Sequence, residues 1–235
     1  MCTVVIDTMP GTARLLAVRD EDPQRDWDDL GAWWPETYPG VIGVRDRRAG
    51  GAWLAFDPVG DRLAVLLNRA DTLDLPESDV LSRGGIVLES VAGRSPEGTP
   101  RTHGFNLLEV SPRASRVLTW DGRELRETPV APGVHMIAHD DLDDPATARI
   151  AAWLPRFRAA HDEAEDPQDL SGWATRWIAL LGETGRLSPD DDRAIIRDNR
   201  AHGYPTQSLL YCTAEVAAGG TTAASHVLTR PGRWD

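Results

Sequence analysis

Met1-Cys2-Thr3-Val4-Val5-Ile6-Asp7-Thr8-Met9-Pro10-Gly11-Thr12-Ala13-Arg14-Leu15-Leu16-Ala17-Val18-Arg19-Asp20-Glu21 is the stretch that decides the fold. Thr3–Asp7 and Arg14–Arg19 are short apolar runs rich in strand formers, and Met9-Pro10-Gly11-Thr12 between them is a turn signal. Two such runs across a tight turn predict an antiparallel hairpin. A turn at residues 9–12 brings residues 18–20 back beside residues 2–4. The register therefore sets Arg19 and Asp20 next to Cys2.

Beyond this hairpin, residues 20–40 are charged, rich in Pro and Trp and aperiodic, which predicts a long surface loop. Gly40–Arg45, Ala52–Phe56 and Arg62–Asn68 read as a three-strand meander. Its turns are Arg48-Ala49-Gly50-Gly51 and Asp57-Pro58-Val59-Gly60-Asp61. Residues 69–79 read as loop and Val80–Ala92 as a short helix, which Gly84 and Gly85 weaken. Phe105–Val110, Ser115–Trp120 and the stretch around Val134–Ala138 are further strands, with Asp121-Gly122 as a hairpin turn.

The pattern then becomes helical. Asp144-Pro145 predicts an N-cap followed by proline at the first helical position. Ile150, Trp153, Leu154 and Phe157 follow at helical spacing, with Pro155 expected to kink or split the helix. Leu170, Trp173, Ala174, Trp177, Ile178 and Leu181 form an amphipathic stripe ending near Gly182–Gly185. Ser188–Arg197 predicts another short helix. Ser208–Glu215 and Ser225–Thr229 close the chain as a hairpin across Gly219-Gly220. Hairpins, then helices, then a hairpin predict an α+β class with antiparallel sheets covered by helices, in a single domain over residues 1–235.

The chain has 235 residues, 41% hydrophobic and 26% charged, enough to bury a core without staples. Apolar runs such as Leu63–Leu67 are far shorter than the roughly 20 residues of a membrane helix, so no membrane span is expected. The first twenty residues carry no secretory pattern. The net charge of −12 argues against nucleic acid and against docking on anionic membranes. A small-molecule substrate or ligand is the expected partner, and the sequence leaves the oligomeric state open. All 25 basic residues are Arg, which we read as coding bias of a GC-rich genome. Two cysteines, Cys2 and Cys212, are too few for a disulfide scaffold and fit a reducing cytoplasm.

Cys2 directly follows the initiator Met. Removal of Met1 would leave it with both a thiol and a free α-amine, whose ordinary pKa of about 7.7–8 suits a base at neutral pH. One residue then supplies nucleophile and base. Such a site needs a cation for the thiolate, a carboxylate for the amine and donors for the oxyanion. Arg19 and Asp20 are placed by the hairpin to meet the first two needs.

Met1-Cys2-Thr3-Val4-Val5 followed by Ala17-Val18-Arg19-Asp20-Glu21 resembles the NRDE family, also called the transport-and-Golgi-organisation family. Arg45-Asp46-Arg47-Arg48-Ala49-Gly50-Gly51-Ala52-Trp53-Leu54-Ala55 is similar to that family's Arg-Asp-x-x-Ala-Gly-Gly-Thr-Trp-Leu segment. Val65–Asn68, Ser82-Arg83-Gly84 and Gly104-Phe105-Asn106-Leu107-Leu108 resemble three more of its segments, in the same order. The resemblance implies a four-layer αββα sandwich of two mainly antiparallel sheets with helices on the outer faces, as in N-terminal-nucleophile hydrolases. Penicillin V acylases and bile salt hydrolases share that plan and cleave linear, non-peptide C–N amide bonds.

Carried over by motif, the resemblance implies Cys2 as nucleophile, Arg19 as thiolate-stabilising cation, Asp20 as the amine-holding carboxylate and Asn68 as an oxyanion donor. Asp22 rivals Asp20, because acylases of this plan place the acid three residues after the Arg. Three positions depart from the pattern. Val18 replaces the first Asn of the signature, His139 stands where an Asn is expected, and Gln207 in Tyr204-Pro205-Thr206-Gln207-Ser208 replaces an Arg. Two functions follow: a cysteine amidohydrolase acting on a small linear amide, or a non-catalytic carrier of the same fold for haem or acyl lipids, the family having been linked to both. In the carrier, His139 is a candidate haem ligand; the hydrolase needs no cofactor.

The remaining candidates carry less. His135 and His139 have a metal-like spacing only on a helix, and they flank an apparent strand, so no metal is expected. Trp27, Trp33 and Trp34 are candidates to line an apolar pocket beside Cys2, whereas Trp173 and Trp177 read as core. Gly50-Gly51 and Gly84-Gly85 lack the Lys-Ser/Thr of a phosphate loop, and there is no Gly-x-Ser-x-Gly elbow.

Overall fold

The computed structural model describes residues 2–162 and 172–234. Strand β1 (Thr3–Met9) turns at Pro10-Gly11 into β2 (Thr12–Glu21), with Met9 opposite Thr12 and Gly11 at φ 80°. Only glycine adopts that backbone without a steric cost. The side chains of both strands divide between two cores. Val4, Ile6, Leu15 and Ala17 face one buried cluster, and Val5, Leu16 and Val18 face another. A strand buried on both faces reads as a continuous apolar run rather than an alternating one, which is the pattern of Thr3–Ile6 and Leu15–Val18.

Five strands make the first sheet. β1 pairs with β10 (Gly133–Ile137), β2 with β11 (Gln207–Ala217), and β11 with β12 (Gly220–Val227), all antiparallel. The second sheet has seven strands in sequential order: β3 (Trp27–Gly31), β4 (Ile42–Asp46), β5 (Ala52–Asp57), β6 (Arg62–Asn68), β7 (Phe105–Val110), β8 (Ser115–Trp120) and β9 (Leu125–Val130). The two sheets share a core in which Ile6, Leu15 and Leu210 pack with Leu54, Val65 and Leu108. Face-to-face packing of twisted sheets buries these inner side chains.

Helices cover both outer faces. Helix α2 (Ala148–Asp162) and α3 (Gly172–Thr184) lie on the five-stranded sheet, joined by an edge-to-face contact of Phe157 with Trp177 at 5.4 Å. A shorter helix, α1 (Gly84–Val91), lies on the seven-stranded sheet through Val87, Leu88 and Val91. The architecture is the expected α+β sandwich of two antiparallel sheets. None of the helices among the described residues is long and apolar enough to cross a membrane.

Several local expectations are corrected. The predicted loop at residues 20–40 contains β3, and β9 follows the Asp121-Gly122 turn without an alternating apolar pattern. Both are edge strands, which need little apolar patterning because only one neighbour pairs with them. Glu127, Thr128 and Pro129 of β9 are exposed accordingly. Pro155 does not split α2. Pro155 and Ala151, whose carbonyl loses its intrahelical donor, both lie on the exposed side, where water replaces the bond. Asp144 does not cap α2 with Pro145 at its first position. It caps the preceding turn through Ala146 N at 2.8 Å, and the helix starts at Ala148. Ser188–Arg197 is not a helix. Three consecutive buried residues, Ala194, Ile195 and Ile196, are held in turns capped by Asp191, and a 3-10 turn follows at Asn199–His202. The helix predicted over Val80–Ala92 is shortened to α1. Leu170 of the apolar stripe lies outside the described residues.

Candidate active site

Cys2 enters β1 at the end of the first hairpin, where β2 runs alongside. Its Sγ accepts the Asp20 backbone N–H at 3.4 Å and donates to the Asp20 carbonyl at 3.7 Å. Cys2 is 6% exposed. Burial pushes its thiol up and the Asp20 carboxylate adds to this, while the Asp20 N–H and the Arg19 guanidinium oppose both.

A cleft of about 480 Å³ opens beside Cys2. Arg19, Asp20 and Asn68 line it, so the structure brings together the four residues singled out from sequence. Arg19 is 2% exposed, stacks over Trp27 at 5.6 Å and pairs loosely with Glu21 at 3.6 Å. Burial lowers its pKa. Asn68 ends β6 opposite Phe105 of β7, which delivers it from the seven-stranded sheet to the cleft. The site therefore sits where the ends of the two sheets meet.

Asp20 is fixed from behind. Its Oδ1 accepts the Ser208 hydroxyl at 2.6 Å, and its Oδ2 accepts Asn199 Nδ2 at 3.4 Å. Ser208 Oγ in turn accepts Arg197 N at 2.8 Å, and Arg197 Nε donates to Asn199 Oδ1 at 3.0 Å. Such a chain of buried bonds locks the carboxylate in one orientation. Asp22, the rival, is half-buried, caps Gln24 N at 2.9 Å and lines a different surface depression with Pro205 and Thr206. Geometry thus sets Asp20, not Asp22, in the Cys2 cleft.

Residues that the sequence did not single out individually complete the surroundings. Arg149 of α2, 1% exposed, donates to Thr3 Oγ1 at 2.9 Å, and burial together with Arg197 pushes its pKa down to about 10. Trp53 and Arg83 line the cleft. Both lie in quoted motif segments, and what sequence could not show is that these segments touch. A Cβ on Gly51 would stand 1.9 Å from the Gly84 carbonyl oxygen, so the Ala49-Gly50-Gly51 turn and the Ser82-Arg83-Gly84 turn meet backbone to backbone and form one wall.

The departures from the family pattern fall outside this cleft. Val18 packs in the core under α2 and α3, on the face of β2 opposite Arg19. Gln207 starts β11 and donates to Asp198 Oδ2 at 3.0 Å, bracing a neighbouring loop. His139 lines a separate cavity of about 300 Å³ with Arg149 and Arg197, and its Nε2 lies 3.3 Å from Asp140. Burial and Arg149 lower its pKa. A haem held by His139 would therefore not occupy the Cys2 cleft. His135 is taken up by Asp143 at 2.7 Å. The Trp expectation is also corrected: Trp27 backs Arg19, Trp33 lies under Arg45 at 4.8 Å, and Trp34 donates to Gly50 O at 2.7 Å, so none of the three lines the cleft.

A protein-family model described as Transport and Golgi organisation 2 matches residues 1–202. No curated protein matches the chain.

Proposed function

The chain belongs to the Transport and Golgi organisation 2 family, and on the geometry around Cys2 we propose that it is a cysteine N-terminal-nucleophile amidohydrolase acting on a small linear amide. The observation that carries this reading is the Cys2 thiol held against Asp20 in a cleft that Arg19 and Asn68 also line. With Met1 removed, the Cys2 α-amine takes the thiol proton and Sγ attacks the amide carbonyl. The Arg19 guanidinium stabilises the thiolate, and the Asp20 carboxylate, clamped by Ser208, holds the resulting ammonium. Asn68 Nδ2 donates to the oxyanion. The ammonium protonates the leaving amine as the C–N bond breaks, leaving an acyl-thioester on Cys2. Water then adds to the thioester, the amine again taking the proton, and releases the acid.

A second reading is a carrier for haem or acyl lipids, in which Cys2 only lines the cleft. Burial pushes the Cys2 thiol up, which opposes the thiolate a nucleophile needs and costs a lining group nothing. The two readings separate in one experiment. Intact-mass analysis of the protein purified from its native cell, followed by incubation with a panel of N-acyl amides, is expected to show Met1 absent and an acyl adduct on Cys2. Retained Met1 rules out the hydrolase, because the base would then be an amide nitrogen. Haem or acyl-lipid binding that survives Cys2→Ser, with no product from any amide, establishes the carrier.

A further inference from the structure

Several buried hydrogen-bond donors of residues lining the Cys2 cleft have no partner. Arg19 Nη1 is buried with no partner, and so is Nε1 of Trp53, a residue 7% exposed. Orphaned buried donors of this kind are rare, because each forfeits its bond to water. The cations of the cleft differ in the same direction. Arg25 is paired with Asp46 at 2.5 Å, and Arg19 with Glu21. Arg83 donates Nη1 to the Gly104 carbonyl at 2.7 Å, and no carboxylate among the described residues lies within 4.0 Å of it.

Its position sharpens the point. Arg83 is the N-cap of α1, where a side chain that accepts hydrogen bonds is favoured. Its own side chain makes no capping bond, Ser82 Oγ accepts the Gly84 N–H at 3.2 Å, and the first turn of α1 holds no acidic residue. The positive end of the helix dipole and a guanidinium thus stand together, an arrangement that favours an anion beside them. The contact of Gly51 with Gly84 fixes that helix end against the cleft wall, and Gly84 itself lines the cleft. The position is built, and Asp71 and Glu21, the carboxylates whose charge acts on the guanidinium, form no ion pair with it.

We propose that Arg83 and the N-terminus of α1 form a carboxylate-binding subsite of the Cys2 cleft, so that the amide it accepts carries a carboxylate. The substrate class rests on the amidohydrolase reading; the subsite does not. A carboxylate fits better than a phosphate because Asp20, Glu21, Asp46 and Glu77 also line the cleft and repel a dianion more strongly than a monoanion. The guanidinium fork matches a planar carboxylate in two parallel bonds.

Calorimetric titration of the Cys2→Ser protein with hippurate, with its neutral amide hippuramide and with inorganic phosphate tests this. Hippurate is expected to bind at least tenfold more tightly than hippuramide. Arg83→Gln should erase that difference, Arg83→Lys should keep part of it, and Arg123→Gln, exposed and outside the cleft, should leave it intact. Thermal melts of each variant exclude a folding failure. In the Cys2-containing protein, the ratio of Cys2 alkylation by iodoacetate to that by iodoacetamide should fall at least tenfold in Arg83→Gln. Equal affinity for hippurate and hippuramide, no binding of either, or tighter binding of phosphate overturns the carboxylate subsite. Hippurate binding with no amide turned over by the Cys2-containing protein leaves the subsite standing and removes the hydrolase. Turnover of neutral amides without hippurate binding does the reverse.

Discussion

The two cysteines occupy one sandwich and meet different surroundings. Cys212 sits in the middle of β11, between Ala17 on β2 and Ser225 on β12, 0% exposed in the core between the sheets. Cys2 sits at the end of β1, nearly as buried, but at the wall of a cleft and against a backbone N–H. Burial raises both thiols. At Cys212 the only opposing influence is the Arg19 guanidinium, whereas at Cys2 the Asp20 N–H joins it. Depth alone therefore does not distinguish the two positions. What separates them is whether the chain ends strand pairing there and leaves room for a second molecule.

The largest expected effect breaks that comparison directly. In the hydrolase reading, Cys2→Ser should lower kcat on the preferred amide by at least about a thousandfold, the scale seen when a nucleophile is lost. Cys212→Ser should leave kcat within about twofold and lower stability by roughly 1–3 kcal/mol, because a hydroxyl replaces a thiol in an apolar core. Turnover assays and denaturant melts of the two variants check both. Equal losses of turnover would show that the two positions are not distinct in function.

The next effect sharpens the comparison at the group that distinguishes Cys2. Ser208→Ala removes the 2.6 Å bond that orients Asp20 without touching the cleft lining. Turnover is expected to fall by about tenfold to a hundredfold, as for a lost positioning contact. Alkylation of Cys2 by iodoacetamide should stay within about threefold, because that reaction does not need the amine held. Parallel losses in both assays would mean that Ser208 supports the local fold rather than the carboxylate.

Much of this was legible because the deciding contacts are local. Cys2, Arg19 and Asp20 are related by one hairpin, and Pro10-Gly11 fixes its register. The core strands announced themselves through continuous apolar runs. The edge strands β3 and β9 did not, since Asp28, Asp29, Glu127 and Thr128 carry no apolar pattern. Nor did the cleft wall. Residues 49–51 and 82–84 are recognisable turns in sequence, but their contact depends on α1 being laid over β5 and β6. The clamp on Asp20 is equally remote, with Ser208 188 residues away along the chain. Ile195 and Ile196 misled because consecutive buried residues mimic part of a helical stripe while lacking its period.

The smallest expected effect concerns pH. Both thiols are raised in the folded protein above their ordinary value. Above that ordinary value, near pH 8.5, the unfolded chain releases the two protons while the folded chain keeps them. Stability must then fall as pH rises, by up to about 1.4 kcal/mol per pH unit for each thiol. Below the ordinary thiol value neither state ionises, and the contribution is level. Cys212→Ala is therefore expected to be less stable than the parent at pH 7, through the lost packing. It should also lose less stability than the parent between pH 8 and pH 10. Denaturant midpoints measured across that range give the two slopes. Because Cys212 has no cleft and no N–H donor to ease its ionisation, its removal should flatten the slope at least as much as removal of Cys2. A larger flattening from Cys2→Ala would place the less ionisable thiol at the end of β1 and reverse the contrast between the two sites.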